Sequence, residues 1–310
     1  MAIETPYGKP AMSSGNPAET QRRPCRETVE TPGQWLFPPL QHPAQSLHGQ
    51  LMLSSGALHR GGWEIGWAQI VGMRHHLCED SMGVAWAGAD AQPHSRSPIE
   101  LEAIALTLAD GVGGGARGDL ASHALVQHCL GLPHPAVDQS GPSALLAGLS
   151  LADTAVNKSL ATITTMPGAA TLAAAWLDAS GYGWVSSVGD ARLSVLHAAS
   201  GQWLPVMADQ NYANLGETPP VPEQLHAPAR MVGAGLMGTP ELVPFALQAN
   251  EVLMLSSDGL HEWLGDRFAS PQPSAPGSRL VDWASMLALR ARENGSDDDI
   301  SVLLARKTPH

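Results

Sequence analysis

EAIALTLADGVGG, residues 102–114, sets the terms for the whole chain: a run of small and apolar residues ends on Asp110, and glycine follows at once. That composition reads as a buried strand, and the Asp-Gly step stops it. The same design returns in MLSSDGL (254–260) with Asp258, and a relative of it, with the glycine ahead of the acid, in VSSVGDARL (185–193) with Asp190. In GSDDDISVLL (295–304) the acid, Asp298, comes ahead of the run, as the pair Glu79-Asp80 does before SMGVAWAG (81–88). Any one Asp-Gly is simply a turn. Together they gather carboxylates where sheets meet, and such carboxylates repel one another strongly unless divalent cations neutralise them. The acids therefore read as metal ligands.

Around them, short apolar runs at 63–71, 81–88, 102–109, 171–179, 182–188, 192–198, 251–257 and 300–306 are strand candidates. Several are separated by too few residues for a parallel crossover, so hairpins and antiparallel sheets are expected, not a Rossmann-like architecture. Residues 116–131, 143–162 and 278–295 place apolar side chains at three and four spacing and read as helices. Asp153 and Asn157, one turn apart in the second, read as a solvated face. Strands, two helices, strands, a helix and a final strand suit an α+β layering. Residues 203–250, with several prolines and glycines, read as a loop-like surface insertion near the site. Residues 1–50, rich in Pro, Gly, Ser, Thr and Gln without a sustained period, read as a flexible N-terminal tail. One domain over 51–310 is expected, with no internal repeat.

Bulk properties narrow the function. At 310 residues and 44% hydrophobic content the chain can bury a full core. Seventeen Lys and Arg against 29 Asp and Glu leave a net charge of -12, which argues against a general nucleic-acid or anionic-membrane binder. The longest strongly apolar stretches, such as AATLAAAWL (169–177), are too short for membrane insertion. The N-terminal residues lack a basic start followed by an apolar core, so a cytoplasmic location is expected. Cys25, Cys78 and Cys129 form no Cys-x-x-Cys pair and read as reduced thiols.

The ordered motifs are Arg74 with Glu79-Asp80, Asp-Gly-Val-Gly-Gly (110–114), Gly-Asp-Ala-Arg (189–192), Ser-Asp-Gly-Leu (257–260) and Asp-Asp-Ile-Ser (298–301). In this order they resemble the protein phosphatase 2C, or PPM, family of metal-dependent serine/threonine phosphatases, in its bacterial form, over roughly 63–306. The resemblance implies a four-layer α-β-β-α sandwich, two central antiparallel sheets flanked by helices, with 51–310 as the phosphatase domain. It implies that Asp110 bridges two Mn²⁺ or Mg²⁺ ions, that the Gly111 carbonyl ligates one, and that Asp258 and Asp298 complete the second. Glu79 and Asp80 fall where the family holds metal-bound waters or a metal directly, and Asp190 matches the acid of a third ion. Hard oxygen ligands suit these ions, which can share a water, lower its pKa and aim it in line at phosphorus. Arg74 is the candidate for gripping phosphate. The implied partners are phosphorylated protein substrates, opposed to a serine/threonine kinase.

The chain departs from the family pattern in places. Arg74 precedes Glu79 by five residues where four is usual, so the loop gains a residue or His75 takes the arginine's place. Val112 stands where animal relatives carry a histidine. His75 and His76 read as solvated loop histidines. Asp299 replaces the usual Asn, a charge that would tighten a cation or raise a neighbouring carboxylate's pKa. Gly168-Ala169-Ala170 replaces Gly-Thr-Thr. GAGLMG (233–238) fits a dinucleotide string but lacks the βαβ setting. Two alternatives stand beside catalysis on general phosphoproteins: an inactive regulatory module on the same fold, and a phosphatase dedicated to one signalling or secretion-system partner.

Overall fold

The computed structural model describes residues 53–73, 77–87, 102–112, 117–135, 141–197, 200–265 and 279–308, together with the backbone of 34–37. Its strands are β1 Gln34–Phe37, β2 Leu53–Arg60, β3 Trp63–Ile70, β4 Ser81–Ala87, β5 Ala103–Ala109, β6 Leu172–Leu177, β7 Tyr182–Val188, β8 Arg192–His197, β9 Gln202–Pro205, β10 Val243–Ala246, β11 Val252–Ser256 and β12 Ile300–Lys307. The helices are α1 Gly118–Leu130, α2 Gly141–Ser150, α3 Ala152–Ala161, α4 Tyr212–Leu215, α5 Asp258–Leu264 and α6 Leu280–Glu293. One sheet runs β1-β4-β5-β6-β7-β10 and the other β2-β3-β12-β11-β8-β9. Every pairing is antiparallel, as the short connections require.

Period-two alternation explains the layers. In β5, Ile104, Leu106 and Leu108 point between the sheets, where they meet Trp63, Ile65 and Trp67 of β3 and Leu253 and Leu255 of β11. Ala105 and Ala109 point the other way, beneath Leu125, Leu145 and Val156 of α1, α2 and α3. The outer face of the second sheet, with Ala68, Ile70, Met254 and Val302, is covered by Leu280, Trp283 and Leu287 of α6. The result is the expected α-β-β-α sandwich. Each fully buried Leu or Ile contributes about 1.5–3 kcal/mol, and truncating one to Ala costs about 2–5 kcal/mol.

Helix α6 lies directly on β3 because Gly66 has no side chain, and a Cβ there would stand 2.3 Å from the Leu280 carbonyl carbon. Arg279 gives this helix no side-chain cap. Buried Glu64 of β3 supplies it instead, accepting from the Leu280 amide at 2.9 Å and from Arg306 Nε at 2.6 Å.

Three expectations change. The helix over 143–162 is two helices, broken at Leu151, where the Ser150 hydroxyl donates back to the Leu146 carbonyl at 2.8 Å and the Leu151 amide turns to Gly148. The 203–250 insertion carries β9 and β10 at its ends, each extending a sheet edge. The backbone of 34–37 pairs with β4, inside the stretch 1–50 read as a tail, whose other residues lie outside those described.

Candidate metal centre

Strand register brings the acids to one end of the sandwich. Ser81 pairs with Ala109, so Asp80, just before β4, lies beside Asp110, just after β5. Arg192 pairs with Ser256, and Ser256 with Val302. Asp190 in the β7–β8 turn, Asp258 at the start of α5, and Asp298 ahead of β12 are therefore neighbours on the second sheet. Two glycines permit the crossing of their loops. A Cβ on Gly111 would sit 2.4 Å from the Gly118 carbonyl and 2.6 Å from that of Glu79; one on Gly259 would sit 2.0 Å from the Asp299 carbonyl oxygen.

The electrostatics of this end are unusual. Asp80 is fully buried and neither of its oxygens makes a hydrogen bond. Burial, then the charge of Asp299, push its carboxyl well above the ordinary range; the Ser301 and Ser257 hydroxyls oppose this from nearby without standing in hydrogen-bonding geometry to it. Asp110, half-buried, is raised by desolvation and then by Asp80, Asp258, Asp190 and Asp298. Asp190 is raised by burial and then by Asp258. Asp258 is pushed to about 6 by burial, Asp298 and Glu262, with the nearby Asp110 carboxyl opposing the rise.

These acids must take up protons or share a cation. An orphaned, buried carboxylate among four others, all hard oxygen donors, fits Mg²⁺ or Mn²⁺. Among the described residues no three His, Cys, Asp or Glu side chains already close around one point, so the acids share a field and not a preformed coordination sphere.

Glu79 is half-buried, and its backbone is what the fold grips: its amide donates to Asp299 Oδ2 at 2.7 Å, and its carbonyl accepts from the Ser122 hydroxyl at 2.5 Å and the Gly111 amide at 3.2 Å. Arg74, His75 and His76 lie outside the described residues. Asp299 spends both oxygens on backbone amides, Gly72 at 2.6 Å and Glu79 at 2.7 Å, so of its two expected roles it is the like-charge pressure on Asp80 that this geometry carries.

Sequence reasoning assigned no role to several residues that shape the site. Arg192 makes a two-pronged pair with Asp209 of the insertion, Nε to Oδ1 at 3.0 Å and Nη2 to Oδ2. His261, buried behind Asp258, meets the Ser256 hydroxyl through Nδ1 at 3.0 Å, and burial and then Arg192 hold it neutral. The GAGLMG string proves to be a nest for the chain's own Asp153, whose Oδ1 accepts from Gly233 at 2.8 Å and Gly235 at 3.1 Å. Asp153 thus does more than solvate a helix face. The only signal for it in the sequence is a lone acid one turn from Asn157.

No family model and no curated protein sequence matches the chain. Solved structures do. The serine/threonine phosphatase of S. agalactiae superposes with a TM-score of 0.63 at 19% identity, over 79% of this chain and 99% of that one. The catalytic domain of the serine/threonine protein phosphatase PstP, in complex with two manganese ions, gives 0.55 at 21%, over 84% and 100%. PppA, a regulatory component of the type VI secretion system in Pseudomonas aeruginosa, gives 0.55 at 21%, over 81% and 100%. At these identities the likeness is one of fold, and it spans nearly the whole of each neighbour.

Proposed function

We propose that this chain is a metal-dependent protein serine/threonine phosphatase that hydrolyses phosphoserine and phosphothreonine. The observation that carries the reading is Asp80: a fully buried carboxylate without a hydrogen bond, set among Asp110, Asp190, Asp258 and Asp298 on the fold the bacterial serine/threonine phosphatases share. Asp80, Asp110, the Gly111 carbonyl, Asp258 and Asp298 would hold two Mn²⁺ or Mg²⁺ ions, Glu79 would orient water beside them, and Asp190 would serve a third. When bound, such ions neutralise the acids and supply an activated water for in-line attack at phosphorus.

The chain's own contribution is placement and field. Strand ends fix the carboxylates, and wherever these ionise their negative charge repels a phosphate dianion until cations are loaded, which makes activity conditional on metal. Arg74 would grip the phosphate oxygens not under attack. Substrates would be phosphorylated proteins, in the cytoplasm, opposed to a serine/threonine kinase. Among the described residues no helix is long and apolar enough to cross a membrane.

The test is phosphate release from a phosphothreonine peptide with MnCl₂, MgCl₂ or excess EDTA, for the wild type, Asp110→Ala and Asp258→Ala. Turnover should need metal and fall at least about 100-fold in both variants, the scale expected on losing a group that acts on the transition state. No turnover from folded, metal-loaded wild type would instead favour the regulatory-module alternative.

A further inference from the structure

The loops carrying Glu79-Asp80 and Asp298 are sewn together by side chains that lie behind the acids. Arg292, in the last turn of α6, sends Nη1 to the Ser296 carbonyl and Nη2 to the carbonyls of Val71 and Asp298, both at 2.9 Å. From the facing side Asp299 takes the amides of Gly72 and Glu79. Between these two, the Met73 amide donates to the Asp297 carbonyl at 2.8 Å. The approach is tight: a Cβ on Gly72 would lie 2.9 Å from the Asp298 carbonyl carbon and the Asp299 nitrogen. Residues 71–73 and 79 on one side and 296–299 on the other, more than 200 positions apart in the chain, are therefore one unit at this end of the sandwich.

That unit faces a load. Asp80 and Asp298 both bear on the charge of Asp110, and Asp299 adds to the pressure on Asp80. Wherever these acids ionise without a cation, like charges push the two loops apart. Backbone groups cannot slide once a fork of donors on one side and two acceptors on the other hold them.

We infer that Arg292 and Asp299 are positioning residues that hold the two acid-bearing loops in register before any cation arrives, so that an incoming ion has only to draw the acid side chains together and not to align their loops. The inference rests on the metal-dependent reading above and concerns how its acids are held. Charge alone gives Arg292 the opposite role. A guanidinium near the site repels an incoming divalent ion, so on charge alone its removal would tighten metal binding. As a positioning residue, its removal weakens it.

The experiment uses the full chain stripped with EDTA. MnCl₂ is titrated calorimetrically into the wild type, Arg292→Met, Arg292→Lys and Asp299→Asn, each first checked for native near-UV circular dichroism. Amide hydrogen exchange is followed at Gly72, Met73 and Glu79 without metal. The expected result is Mn²⁺ affinity weakened about 10-fold or more in Arg292→Met, the usual scale for losing an outer partner of a metal site. Arg292→Lys, which keeps the charge but not the fork, should fall between, and the three amides should exchange faster in every variant. Tighter or unchanged Mn²⁺ binding by Arg292→Met overturns the proposal. Should that variant fail to fold, the wild type and Arg292→Lys decide: unprotected Gly72 and Glu79 amides in the metal-free wild type sink the clip. A wild type with protected amides that binds no Mn²⁺ sinks the metal-dependent reading instead.

Discussion

Acids of the 203–250 insertion and acids at the strand ends sit close together and are treated in opposite ways. Asp209 is met by both prongs of Arg192, with side chains only 9% and 13% exposed, and Glu217 is met by both prongs of Arg230. Asp80 has no donor on either oxygen, and Asp110, Asp190 and Asp258 are raised chiefly by burial and by one another. Among the described residues the paired arginines stand at the rim, and Asp80, Asp110, Asp190 and Asp258 meet none, which fits a counter-charge supplied by bound cations.

The largest effect should come from breaking the compensated side. Asp209→Ala takes a two-pronged partner from the largely buried Arg192 guanidinium, and removing one partner of a buried pair costs up to about 3–5 kcal/mol. Urea unfolding of metal-free protein measures it. A loss below about 1 kcal/mol would mean the rim pair is solvated in practice, and the contrast with the centre would lose its force.

The next effect separates the centre by pH. Asp258 titrates at about 6 in the folded chain against 3.8 ordinarily, so between those values the folded state holds more protons than the unfolded one. Stability from this group is complete below the lower value and is lost as pH rises through about 6. Asp80, Asp110 and Asp190 are shifted in the same direction. Metal-free protein should lose up to about 3 kcal/mol for Asp258 alone across that window. Saturating Mn²⁺ should flatten the slope, because ligated carboxylates stay ionised. A metal-free stability that rises over the same window in denaturant titrations would contradict the raised values.

How much of this was legible in the sequence depends on the range of the interaction. β5 and β6 announce themselves because every side chain along them is buried, and Asp110 after β5 is visible as punctuation. β2, LSSGALHR, carries little apolar signal and is a strand because β3 pairs with it and its Gly56 lies against the Trp67 indole. β9 and β10 are four-residue edges that only a neighbour's ladder makes into strands. The break at Leu151 turns on a hydroxyl competing with the helix ladder, which no apolar period records. Asp299, Arg292 and Asp153 have roles set by partners 220, 221 and 80 residues away, and nothing in their flanking sequence encodes those partners.

The smallest effect is the most discriminating. Asp80→Asn replaces the orphan carboxyl with a neutral group of the same shape, close to what protonated Asp80 already presents. In metal-free protein at about pH 3, below the ordinary carboxyl range, where Asp80 is protonated folded and unfolded alike, the substitution should be nearly silent. At pH 8 the wild type must either ionise a buried carboxylate or hold a proton against solvent. There the neutral amide should stabilise by about 1–2 kcal/mol, the scale of relieving an unsatisfied buried group. The same variant should forfeit most of the stabilisation that Mn²⁺ gives the wild type. Thermal denaturation at both pH values, with and without MnCl₂, reads all of this at once. A variant less stable than wild type at pH 8 without metal would show that Asp80 is satisfied after all, and the centre would then be compensated like the rim. A gain without metal together with a loss with it is the signature of an acid kept for a cation at a cost to the empty fold.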